Sequence, residues 1–167
     1  MQTNRKTALV ICVTLVCWSS VSGQDWTKIT PLKSTRPEVE KDLGTAEKSF
    51  GVIYELEQGN LFIEYSSGPC RPDRRGGWNV AENIVISLHF SPKVKQRVEE
   101  LQIDRKKFRK VLDRHSGGYG YYLINNRDGI MYEVQQGEVG YVEYYPPSKY
   151  DHLQCGNGRA LLSKRGR

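Results

Sequence analysis

Two stretches of the chain alternate apolar and polar residues with the period of a β-strand, and each is broken once by a glycine-containing turn. In the first, Val52, Tyr54 and Leu56 fall on one side and Ile53, Glu55 and Glu57 on the other. Beyond Gln58-Gly59-Asn60 the alternation resumes with Leu61, Ile63 and Tyr65 against Phe62 and Glu64. This predicts a hairpin with one buried and one wet face, the Gly59-Asn60 step supplying the positive φ angles of a tight turn. The second stretch, Ile130 to Tyr144, writes the same order of residue types. Tyr132-Glu133 and Gln136-Gly137 match Tyr54-Glu55 and Gln58-Gly59 at one offset; Val142-Glu143-Tyr144 matches Ile63-Glu64-Tyr65 at an offset one residue longer. An extra residue has therefore entered the second return strand or its turn, and Gly140 is the natural place for a bulge. Such self-similarity predicts two related hairpin units, about residues 32–70 and 101–155. The competing explanation is that any two strands rich in Tyr, Val and Glu look alike.

Other elements follow from the same patterning. Ile84 to Phe90 reads as a strand with Ile84, Ile86, Leu88 and Phe90 on one face and Val85, Ser87 and His89 on the other, stopped by Pro92. Tyr121 to Ile124 reads as another, followed by an Asn125–Gly129 turn. Thr35-Arg-Pro-Glu38 is a capping box, Val39 and Leu43 share a helix face, and Gly44 ends the helix. From Lys93 to His115 the apolar residues Val94, Val98 and Leu101, then Phe108, Val111 and Leu112, keep helical spacing among many charges, with a break near Ile103-Asp104. Ser148 to Leu153 predicts one helical turn leading to Cys155. The fold class expected is α+β: an antiparallel sheet built from two related hairpin units, with one or two short helices packed on one face.

The first residues change the accounting. Arg5 and Lys6, the apolar run Thr7 to Trp18 and the small residues ending at Gly23 form a signal peptide, with cleavage expected between Gly23 and Gln24. The run is short for an uncleaved membrane anchor. Its loss removes Cys12 and Cys17, leaving Cys70 and Cys155 in a chain exported to an oxidising place. A disulfide is the economical reading, worth roughly 4 to 5 kcal/mol on chain-entropy grounds. Two free thiols or a metal pair are the alternatives, the latter without the CxxC spacing of a zinc site. Residues 24–155 would then form one α+β domain, and 156–167 a basic tail. Ten tyrosines exclude whole-chain disorder, and the net charge of +6 falls by two with Arg5 and Lys6.

Candidate chemistry is sparse. Arg105, Lys106, Lys107, Arg109 and Lys110 form the largest basic cluster, whose simpler reading is a solvated face; they are the candidate binding residues, export arguing against nucleic acid and favouring an anionic surface such as lipid head groups or acidic polysaccharide. Trp78, after Gly76-Gly77, is either a ligand platform or, more simply, a ring folded over the core. His89 reads as a solvent-side strand residue. Asp151-His152 is the one adjacent acid–histidine pair, without a Gly-x-Ser-x-Gly elbow or a reactive cysteine. Paired carboxylates for glycosidic chemistry could come from Glu55, Glu64, Glu133 and Glu143, although a wet strand face explains them as well. No catalytic residue, metal site or cofactor is expected.

The order Thr35, Glu38, Val39, Leu43, Gly44, Tyr54, Glu55, Gly59, Tyr65 resembles the helix-plus-hairpin unit of the SmpA/OmlA (BamE-like) outer-membrane assembly lipoproteins and of β-lactamase-inhibitor-protein-like domains, over about thirty residues and without a lipobox. Through Ser34-Thr-Arg, Tyr65-Ser-Ser-Gly-Pro-Cys70, Gly77-Trp-Asn-Val80 and His152-Leu-Gln-Cys155, the chain from Leu32 to Cys155 is also similar to secreted bacterial proteins of unassigned function. The function expected is a secreted or periplasmic, non-enzymatic module binding an unknown envelope or extracellular macromolecule. The alternative is a secreted hydrolase working through His152, Glu143 or other His and Glu residues of the sheet face.

Overall fold

The computed structural model describes residues 25–45, 51–72, 76–114 and 119–156. The expected signal peptide, its cleavage point at Gly23/Gln24 and the tail beyond Gly156 lie outside them. Seven antiparallel strands form a single sheet: β1 (Gly51–Glu55), β2 (Gly59–Ser67), β3 (Glu82–Pro92), β4 (Arg109–Leu112), β5 (Gly120–Asn125), β6 (Ile130–Gln135) and β7 (Glu138–Tyr144). Their order is β1-β2-β3-β7-β6-β5-β4. Among the described residues the helical structure is one eight-residue helix, α1 (Arg36–Leu43), and three short 3-10 turns. The chain is therefore mostly sheet, and α+β describes it only loosely. None of its described helices is long and apolar enough to cross a membrane.

Period-two alternation buries one face of this sheet, here the first face. Val52, Tyr54, Leu61, Ile63 and Tyr65 of the first hairpin join Val85 and Leu88 of β3 in one core cluster. Helix α1 closes it from above. The Glu38 carboxylate accepts hydrogen bonds from the Thr35 backbone N–H (2.8 Å) and hydroxyl (3.0 Å), Gly44 ends the helix at φ +96°, and Val39 and Leu43 face the cluster. Eight residues would not hold a helix in water, so the stability of α1 comes from this packing. A second cluster of Val98, Leu123, Val134 and Val139 lies under the other half of the same face.

Both predicted hairpins form, with differences of detail. In the first, Leu56 and Gly59 exchange backbone hydrogen bonds, so the turn is centred on Glu57-Gln58 and neither is at positive φ. Gly59 is instead a strand residue. Glycine is required there because a Cβ would collide with the Ser91 carbonyl oxygen on β3. In the second hairpin Gln136 (φ 53°) and Gly137 (φ 83°) are the turn, as a tight hairpin between twisted strands demands. Glu133 pairs with Tyr141 and Val134 with Val139, which leaves Gly140 as the bulged residue the pattern predicted.

Two expectations need correction. The stretch 93–108 contains no α-helix; it is an irregular strap with one 3-10 turn at Arg105–Lys107, and the chain then enters the edge strand β4. Strand β3 pairs with β7 only over Leu88–Phe90, so the start of β7 has an open edge. The strap fills it: Val139 N–H donates to the Gln96 carbonyl and Val98 N–H to the Gly137 carbonyl, each at 2.9 Å. A helix has no spare backbone groups to do this. The helically spaced Val98 and Leu101 do face the core, whereas Val94 is 80% exposed. The second correction concerns β3. Glu64 pairs with Ser87 but Tyr65 with Val85, so Ile86 is an inserted residue. The bulge sends Val85 into the core and turns Ile86 outward beside Ser87.

Candidate functional site

On the opposite, second face one ladder row crosses the whole sheet: Ile53, Phe62, His89, Glu143, Met131, Ile124 and Arg109, contributed in order by β1, β2, β3, β7, β6, β5 and β4. Its β1 end is bare, with Ile53 66% exposed; by Met131 exposure has dropped to 7%. The cover comes from two segments that cross the second face, residues 76–80 and 145–155. They are fastened to each other by Asn79 N–H to the Leu153 carbonyl (2.7 Å) and by Cys155 N–H to the Gly77 carbonyl (3.0 Å), and the Cys70–Cys155 disulfide ties the second segment to the loop that follows β2. Trp78 pairs with Gln154 within this clasp.

A cavity of about 260 Å³ remains between clasp and sheet. Ile86, Ile124 and Met131 form its apolar floor, and Trp78, Tyr145 and Pro146 its walls. Glu64, Ser87, Glu143 and Arg109 bring the polar chemistry, one each from β2, β3, β7 and β4. Ser87 Oγ donates to Glu64 Oε2 at 3.0 Å. His89 Nε2 stands 3.4 Å from Glu143 Oε1, and the Glu143 side chain is only 13% exposed. The Tyr145 hydroxyl donates to Asn126 Oδ1 at 2.9 Å. Burial, with the nearby Glu143 charge, pushes that phenol up to about 12 while Arg109 pulls it back, so both signs of charge act on one spot.

The structure distributes the residues singled out in the sequence. Strand alternation sends Arg109 to the cavity and Lys110 to the first face, where its ammonium lies 3.9 Å from the Tyr121 ring centroid. Arg105, Lys106 and Lys107 sit on the exposed 3-10 turn, with Arg105 3.6 Å from Glu99. Of the four strand glutamates, all fall on the second face, but only Glu64 and Glu143 line the cavity; Glu133 accepts from Gln135 Nε2 at 2.9 Å. His152 is exposed on the turn Ser148–Leu153, its ring nitrogen Nδ1 3.1 Å from the Lys149 carbonyl. Trp78, whose simpler reading was a core ring, belongs to neither core cluster and lines the cavity instead. Cys70 and Cys155 are joined, as the count of cysteines suggested.

The arrangement can present carboxylate acceptors and one guanidinium donor to a ligand resting against an aromatic wall. Ser87 and His89 are two apart on one strand face, which holds their side chains roughly 7 Å apart, too far for the hydroxyl–imidazole hydrogen bond of a nucleophile–base pair. Among the described residues no group of three His, Cys, Asp or Glu side chains converges as a metal site would. Comparison of the chain with protein-family models, with curated proteins and with solved structures finds no match.

Proposed function

We propose that this chain is an exported, non-enzymatic binding module, and that the cleft of the second face takes up a small molecule or the end of an envelope or extracellular polymer. The observation that carries this is the convergence of Glu64, Ser87, Glu143 and Arg109, from four different strands, on one cavity walled by Trp78. Polar side chains set beside the apolar Ile86, Ile124 and Met131, with a tryptophan at the wall, are the mixture a ligand cleft uses to hold and orient a small molecule. Export through Met1–Gly23 accords with a disulfide that needs an oxidising compartment. Descent of the two hairpins from one unit accounts for Glu64 and Glu143, which occupy equivalent positions on the strands flanking β3.

Ligand-observed NMR of the full chain against a mixed library of small polar molecules tests the reading. Binders are expected that lose their signal with Trp78→Ala and weaken with Glu143→Gln. Binders indifferent to both substitutions, or none at all, would remove the cleft from consideration. A second reading, glycosidic hydrolysis by the Glu64 and Glu143 pair, is favoured by their sharing one cavity. It requires turnover of a glycoside that Glu64→Gln or Glu143→Gln abolishes, and binding without turnover decides against it.

A further inference from the structure

The first face has an opening of its own, apart from the cleft of the second. Helix α1 covers one core cluster and the 93–108 strap the other, and a groove follows the seam between them. Phe90 and Tyr144 stand at the margin of the first cluster and Tyr132 at the margin of the second. Strand register sets them side by side: Phe90 pairs with Val142 and Val142 with Tyr132, while Tyr144 lies two residues further along β7 on the same face. Trp26 stacks on Phe90, ring centroids 4.6 Å apart, and meets Tyr144 edge-on at 6.0 Å. Across the groove the strap contributes Leu101 and Val94, the latter 80% exposed. Four aromatic rings thus border one opening, and no residue lining it is ionised at neutral pH; Gln58 and Gln96 complete its polar groups. Lys93 and Lys95 interleave with Val94 and Gln96 in sequence but do not line it, and the Lys93 ammonium donates to the Leu56 carbonyl at 2.9 Å.

We infer that this groove is a second binding site, one that takes an uncharged, flat ring system bearing a carbonyl or hydroxyl oxygen. A charged ligand would leave water for a place with no opposite charge to meet it. The electrostatics of the phenols agree: burial raises Tyr144, and burial with the neighbouring Tyr144 raises Tyr132, whereas Tyr145 on the second face responds to Glu143 and Arg109. A flat ring gains twice in the groove. It covers apolar surface, Val94 included, and it adds the stacked and edge-on contacts that aromatic pairs prefer. An acyl chain would gain only the first. Neither the Tyr132 nor the Tyr144 hydroxyl hydrogen-bonds to another described residue. A ligand oxygen accepting from one of them supplies the partner that a half-buried donor needs.

The test is calorimetry and saturation-transfer NMR on the full, oxidised chain. The probes are acetylnaphthalene, its charged analogues naphthoate and naphthylmethylammonium, and decanol as an uncharged chain. Acetylnaphthalene should bind with an affinity unaltered by salt, and each charged analogue about tenfold more weakly. Val94→Asp, at a side chain too exposed to matter for folding, should weaken acetylnaphthalene about tenfold while the denaturation midpoint stays put. At least one of Tyr132→Phe and Tyr144→Phe should weaken it about three- to tenfold. Trp78→Ala, on the other face, should leave it alone. Binding lost with Trp78→Ala but kept with Val94→Asp moves the probe to the second-face cleft and ends this assignment. A charged analogue that binds as tightly, or no binding by any probe, overturns it as well. Decanol bound where acetylnaphthalene is not overturns the ring, and indifference to both phenylalanine variants overturns the hydrogen bond.

Discussion

The same strands do opposite things on their two sides. On the first face Leu61, Ile63, Leu88 and Val134 are at most 1% exposed and fill two clusters sealed by α1 and the 93–108 strap. On the second face the sequence neighbours of Ile63 and Leu88 are Glu64, Ser87 and His89, with Glu143 opposite His89 on β7, and the cover on that side is a clasp of two loops tied by sulfur. The first face is held by area removed from water; the second is held by one covalent bond and a few backbone hydrogen bonds. If the second face binds as proposed, stability and binding should be alterable separately.

The largest effect expected is on the clasp. Replacing Cys70 and Cys155 together by serine should cost roughly 4 kcal/mol in urea unfolding, and weaken ligand uptake in the molecules that remain folded. A loss under about 1 kcal/mol would mean the loops are held without sulfur. Next comes Leu61→Ala, which should cost about 3 kcal/mol by leaving a cavity among fully buried neighbours, yet leave ligand affinity unchanged. If affinity falls with stability, the faces are coupled and the comparison fails.

Alkali offers a third test. Burial raises the phenols of Tyr54, Tyr65, Tyr132 and Tyr144 on the first face, and Tyr145 on the second to about 12. A phenol raised in the folded state holds its proton where the unfolded chain, near pH 10, has lost it. Its contribution is thus fully present below pH 10 and is lost as pH climbs through the folded value. Denaturation midpoints should hold steady to about pH 9 and drop between about 10 and 12. The buried hydroxyls of Tyr54 and Tyr65 lie against each other and make no well-formed hydrogen bond to any other described residue, so Tyr65→Phe should flatten that drop with little change at neutral pH. A drop unaltered by Tyr65→Phe assigns it elsewhere. The smallest effect is the stability change of Trp78→Ala, within about 1 kcal/mol because the ring lies outside both clusters; a larger loss would make Trp78 a structural residue.

What could be read from the residues follows the range of the forces involved. Hairpins, α1 and the Gly140 bulge are local: alternation, a capping box and a one-residue change of offset announce them. Gly59 misled because glycine serves two ends, positive φ and close approach, and the collision with Ser91 is invisible until β3 is laid beside β2. The strap misled because a chain crossing a sheet drops an apolar side chain every three or four residues much as a helix does. Its real partner, the open edge of β7, lies some forty residues away. The cleft was half visible. Glu64 and Glu143 stood out as equivalent positions, but only strand order puts Ser87 between them and brings Arg109 across from β4.

Ile86 shows how much can hang on a single insertion. It is the extra residue that lets Val85 and Leu88, three apart, look the same way: delete it, and Val85 would follow Ser87 in ordinary alternation, still inside, while the floor of the pocket lost its aliphatic tile.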